Sequence, residues 1–301
     1  MNCFRVAAVL AVMLMCGFSQ SVAANPQFSV HEVNLEKPLE AKGPVTLDAG
    51  GGVKLQFAAA ESTAGLPMRK LTVLDGENPV KQFVDEALYL SYARVDFGAA
   101  VYWVLGLFTG GAHCCGEYEF FCRPGPGQPL QYLGKTPGHN GEPQKLAQAF
   151  MTQETHLYFR DMDNRFDYFH ESHAGCMLVN FPDRYHRLTP TSLTVANTAF
   201  KDRYLAQLPE VEQEIARALK TRKGKPPAIL KQEHGADFDS FYFSDDLGQL
   251  LVKRAILLLY AREEARAWQE LEAGVKKHYR STRWLPELKQ DIRDQLASAP
   301  Y

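Results

Sequence analysis

The residues best suited to chemistry form one short run, Gly110-Gly111-Ala112-His113-Cys114-Cys115. Imidazole and thiolate together suit Cu(I) or Zn(II). A histidine beside a thiol can also take its proton and leave a nucleophilic thiolate. The spacing argues against the metal, because two adjacent cysteines do not readily close on one tetrahedral ion, and export to an oxidising space argues against a free nucleophilic thiol. On an extended strand, neighbours point to opposite faces, so Cys114 and Cys115 are placed to pair with different partners. Cys122 and Cys176 are the partners on offer, and two structural disulfides are the leading expectation. A direct Cys114–Cys115 bond would close a strained, easily reduced ring. Gly110 and Gly111 would supply the backbone freedom for it. That ring underlies the alternative reading, a thiol redox or metal-binding protein centred on His113, Cys114 and Cys115.

A second polar group lies downstream. His170 and His173 share a face only in a helix, and their setting, between two strands and just before Cys176, reads as a loop. Asp161, Asp163, Asn164 and Asp167 have the look of a calcium loop. Phe166 and Ser172 occupy the places where an EF-hand needs glycine and glutamate, so a turn with solvated carboxylates is the better reading. The metal candidates are therefore His113, His170, His173, Asp161 and Asp163, with calcium, zinc or copper as the ions; no cofactor is expected. The chain has no Gly-x-Ser-x-Gly elbow, phosphate-cradling glycine loop or His-Glu-x-x-His. The reading leans away from an enzyme.

These residues need elements to position them. At the N-terminus Arg5, the apolar run Val6 to Met15 and the small residues Ser21-Val22-Ala23-Ala24 make a cleavable signal peptide. The run is shorter than the roughly 20 residues that span a bilayer, and no later stretch is apolar enough to do so. The expected location is the periplasm, with no stable membrane span after cleavage. Export also favours disulfides, and cleavage leaves Cys114, Cys115, Cys122 and Cys176. A formal net charge of −2 gives no basic face for nucleic acid.

From Phe28 to about Leu193 the chain reads as β. Val53, Leu55 and Phe57 alternate with Lys54 and Gln56 after a turn at Gly50-Gly51-Gly52. Leu71 to Leu74 and Val80 to Val84 flank a hairpin loop at Asp75-Gly76-Glu77-Asn78-Pro79. Val101 to Phe108 is apolar on both faces, as a covered central strand requires. Beyond the motif, Tyr118, Phe120 and Cys122 share an inward face, with Glu117, Glu119 and Arg123 on the other, interrupted by Phe121. The last third is helical. Pro209 fits a first helical turn, with Val211, Ile215, Ala218 and Leu219 on one face. Further helices follow from about Asp245, through Trp268 to Tyr279, and from near Pro286. The expected fold is α+β: a signal peptide at 1–24, an antiparallel β-rich domain at 25–195, sandwich or partial-propeller-like, and a helical region at 196–301.

Through Gly110-Gly111-Ala112-His113-Cys114-Cys115 the chain resembles a group of bacterial exported proteins carrying this GGAHCC string. Some of these are similar to degenerate FG-GAP/VCBS-type β repeats. The resemblance runs from about Leu71 to Leu193 and includes Asp161 to Tyr168 and Phe181 to Thr189. It implies a β-rich exported domain and brings no catalytic residue. The chain departs from the propeller repeats in lacking an Asp-x-Asp-x-Asp-Gly loop.

Together these readings give an exported, non-enzymatic module that binds a protein or envelope component, with an inhibitor or immunity-type role as its specific form.

Overall fold

The computed structural model describes residues 27–33, 44–60, 68–85, 89–108, 116–138, 143–163, 166, 182–222, 246–279 and 282–297. Thirteen strands and five helices are built from them. The first sheet is an up-and-down meander of β2 (Val45–Asp48), β3 (Val53–Ala60), β4 (Met68–Asp75) and β5 (Asn78–Asp85). The second contains β6 (Tyr89–Phe97), β7 (Ala100–Phe108), β8 (Gly116–Arg123) and β9 (Gln131–Gly138). β1 (Gln27–Val33) joins its edge antiparallel to β6. The short helix α1 (Pro143–Ala149) leads into a third meander of β10 (Phe150–Gln153), β11 (His156–Met162), β12 (Asp183–Thr189) and β13 (Ser192–Val195).

The three sheets stack as successive layers, and period-two alternation assigns each side chain to one side. In β7, Trp103, Leu105 and Leu107 meet Val53, Leu55, Phe57 and Leu71 of the first sheet. Tyr102 and Val104 meet Phe150, Leu157 and Phe159 of the third. The central covered strand expected from its two apolar faces is therefore the middle strand of the middle sheet. Tyr118, Phe120 and Cys122 of β8 face the third sheet, as their alternation predicts, and Phe121 faces the first. The opposite side of β8 carries Glu117, Glu119 and Arg123. Despite its charge Glu119 is only 2% exposed, because the first sheet covers that face.

The outer face of the third sheet presents Tyr158 and Tyr185 to a fourth layer of helices. These are α2 (Lys201–Arg222), α3 (Asp246–Tyr260), α4 (Glu264–His278) and α5 (Leu285–Ala297). The apolar faces expected from spacing close on each other and on this sheet: Ile215, Leu251, Leu258, Leu271, Val275 and Ile292 share one cluster with Tyr158 and Tyr185. Pro209 does not open its helix. α2 begins at Lys201, after a 3-10 turn at Asn197–Phe200, and Pro209 lies inside it. The reason is packing: the apolar stripe starts before the proline, at buried Tyr204 and Leu208, and continues through Val211 and Ile215, and burial overrides the local cost of an interior proline.

At the first sheet's turn, Gly50, Gly51 and Gly52 all have positive φ, at 80°, 63° and 80°. The turn sits against the Trp103 ring, whose indole N–H donates to the Ala49 carbonyl at 3.0 Å. Arg94 and Arg123 lie over that ring at 5.9 and 5.5 Å.

Candidate functional site

β7 ends at Phe108 and β8 begins at Gly116, and the two residues are register partners. β9 ends at Gly138, opposite Gly116. In the third sheet, Met162 at the end of β11 pairs with Asp183 at the start of β12. The two sheets are aligned so that these ends coincide. The ring of Tyr118 lies 4.9 Å from that of Phe159, and Thr136 near the end of β9 acts on the Asp161 carboxyl near the end of β11. At the far end Ala100 and Tyr102 line a cleft with His156, Leu157 and Thr189. The strand ends that flank 109–115 and 164–181 thus share one end of the stack. The motif residues Gly110, Gly111, His113, Cys114 and Cys115 lie outside the described residues, as do His170, His173 and Cys176.

Two buried carboxylate centres occupy this end, one on each side of the second sheet, and consecutive residues of β9 serve them. On the side facing the first sheet, Tyr132 donates to Oε2 of Glu119 at 2.6 Å and Lys135 donates to Oε2 of Glu117 at 2.7 Å. Lys81 of β5 covers the Tyr132 ring at 4.5 Å. Burial pushes the Glu119 carboxyl up to about 7, and the neighbouring charge of Glu117 adds to that, against the opposing pull of Tyr132 and Lys135. Burial also raises the Tyr132 phenol. Glu119 is thus a carboxyl able to hold or release a proton near neutrality, the property expected of groups at functional sites.

On the opposite side, Thr136 turns toward the third sheet and Asp161. Burial drives the Asp161 carboxyl well above the usual range, with Arg184 as the main opposing influence. Arg184 reaches both acids. Its Nη2 lies 3.9 Å from Oδ2 of Asp161 and its Nε 3.5 Å from Oδ1 of Asp163. Tyr260 of α3 donates to Asp163, and Tyr204 of α2 donates to the Asp183 carbonyl at 2.9 Å. All three charged groups are almost fully buried. Asp161 and Asp163 are therefore not the solvated turn residues expected from sequence. They form a clasp between β11, β12 and the helices, and a cation there would have to displace the Arg184 guanidinium. Among the described residues no group of three or more metal-ligating side chains converges.

Cys122 is inward, as expected, and among the described residues it is a free, fully buried thiol; the partners expected for it, Cys114, Cys115 and Cys176, lie outside the described residues. Burial pushes that thiol up to about 12. Cys122 sits at the far end of β8, six residues from Gly116.

Sequence reasoning missed Glu119, Arg184 and Tyr260 as members of these centres. The interruption of the polar face of β8 by Phe121 was the one signal that this face is covered.

The far end of the stack is held by Arg123. It donates to Asp75, to the Gly51 carbonyl and, at 3.0 Å, to the Gln128 carbonyl, and Asp75 also accepts from the Leu130 amide at 2.9 Å. These bonds tie the first sheet to the second.

Against known proteins, the chain matches no protein-family model, no curated protein and no solved structure. Among the described residues, no helix is long and apolar enough to cross a membrane.

Proposed function

We propose that the protein is an exported, periplasmic binding module that engages a protein or envelope component at the end of the stack where 109–115 joins β7 to β8. One observation carries the reading. The two most chemically distinctive stretches of the sequence, 109–115 and 164–181, are both flanked by strand ends at that one end. The flanking strands are locked there by the Glu119 and Asp161 centres. A scaffold that fixes the bases of two connections side by side is a common way to build a recognition surface. An inhibitor or immunity-type role is the specific form of this proposal, in which the partner is a toxin or hydrolase of the same compartment.

The test is site-specific photocrosslinking in the native envelope. A crosslinking residue is placed at Arg160, exposed near the motif end, and for comparison at Gln128, exposed at the far end. A discrete adduct from position 160 alone supports the reading. Adducts of equal yield from both positions, or none from either, overturn it. The alternative, a thiol redox or metal protein centred on His113, Cys114 and Cys115, is read in the same preparation by native mass and cysteine mapping. A retained ion or a Cys114–Cys115 ring would favour it.

A further inference from the structure

We infer that a proton on Glu119 latches the motif-bearing β7–β8 hairpin into the stack, and that loss of this proton loosens that end. The inference rests on the proposed function, since it assigns a control to the same end of the molecule.

The geometry is specific. Glu119 and Glu117 lie two residues apart on the same face of one strand, and the charge of Glu117 adds to the upward push on the Glu119 carboxyl. Glu117 stands one residue from the start of β8, where the chain leaves the motif. Across the pair, β9 offers Tyr132 to Glu119 and Lys135 to Glu117. β5 of the first sheet offers Lys81, which lies over the Tyr132 ring. β7 offers an apolar neighbour, Leu105, as the register partner of Glu119. Lys135 bonds to Glu117, and Glu119 accepts from the Tyr132 hydroxyl, a neutral donor. With a proton on Glu119 the pair carries one negative charge, at Glu117, which Lys135 meets directly, and Glu119 takes the Tyr132 hydroxyl as a neutral acid. Without it, two carboxylates adjoin on one face, and the first sheet shuts one of them, Glu119, off from water. Like charges so placed repel, and burial penalises the second one further. An opened hairpin end, in which Glu119 is hydrated, escapes both costs. The opening therefore gains on the closed state as pH rises from the ordinary carboxylate range to about 7, by up to tenfold per pH unit for a single released proton, and levels off above that. Glu119 is only 2% exposed, so its hydration requires displacement of β8 or β9 from the first sheet.

The experiment is amide hydrogen exchange at pH 6 and pH 8, corrected for intrinsic base catalysis, on the full mature chain and on Glu119→Gln. In the native protein, protection at 117–119 and 135–136 should fall by about tenfold between the two pH values. Protection in β3 and in α3 should be unchanged. Glu119→Gln, which keeps the shape and the hydrogen bond but cannot ionise, should remove the pH effect. A flat profile in the native protein, an equal fall in all layers, or a fall that persists in Glu119→Gln overturns the latch. If Glu119→Gln fails to fold, carboxyl titration of native Glu119 by NMR decides: titration in the ordinary carboxylate range overturns it, and titration near neutrality upholds it. Exchange needs no partner, so this result stands apart from the crosslinking. A local exchange change without an adduct sinks the binding reading and keeps the latch. An adduct whose yield and exchange pattern ignore pH does the reverse.

Discussion

Tyr132 and Glu119 are joined diagonally across β8 and β9 by a 2.6 Å hydroxyl–carboxylate bond. They are not register partners: Tyr132 sits opposite Phe121, and Glu119 opposite Lys135. The irregularity between Phe120 and Phe121 shifts the register and brings the phenol under the carboxyl. A bulge here redirects one side chain onto a buried charge, as bulges often do.

The first prediction concerns stability against pH. The folded-state value of Glu119 is raised, to about 7, so between the ordinary carboxylate range and that value the folded chain holds a proton that the unfolded chain has lost. Its stabilising effect is complete at pH 4 and declines as pH rises to 7, by an amount on the order of 3 kcal/mol. Urea midpoints at pH 5 and pH 8 should differ more in the native protein than in Glu119→Gln. Parallel profiles would contradict this.

A second prediction separates the members of the Arg184 clasp. Arg184→Met removes the cation that lies beside both Asp161 and Asp163 and should cost about 3–5 kcal/mol. Asp161→Asn, at a carboxyl already driven toward its neutral form by burial, should cost far less at neutral pH. Chemical denaturation of the two variants ranks them, and the reverse order would refute the assignment.

Phe159 offers a third. Its ring makes edge contacts with Tyr118, Phe120 and Phe150 at 4.9, 5.0 and 5.1 Å, joining the second and third sheets. Phe159→Ala should lower stability by about 3–5 kcal/mol through the lost contacts and the cavity left behind. A loss under about 1 kcal/mol would mean the two sheets do not share this core.

The fourth is chemical. Cys122 is a buried thiol whose ionisation is pushed up to about 12, and the thiolate is the reactive form. Iodoacetamide should leave Cys122 unmodified in the native, unreduced protein and alkylate it once the chain is unfolded without reductant. Peptide mass mapping reads both steps. A Cys122 that alkylates only after reduction would show it disulfide-bonded.

Local pattern alone determined much of this protein. The alternation at Val53, Leu55 and Phe57 and the two apolar faces of Val101 to Phe108 identified strands and their burial, because a pleated strand has a period of two. The spacing at Leu271, Val275 and Tyr279 did the same for a helix. What the sequence could not decide was which layer covers which face. Glu119 reads only as a charge on the side of β8 opposite Cys122 until the first sheet is laid over it, and Pro209 reads as a helix start until Tyr204 and Leu208 are seen to be buried ahead of it. Asp161, Asp163 and Arg184 are separated by about twenty residues of chain and become one charged centre only when β11 pairs with β12. Burial, counter-ions and proton affinity arise from contacts between distant segments, and only the tertiary structure sets them.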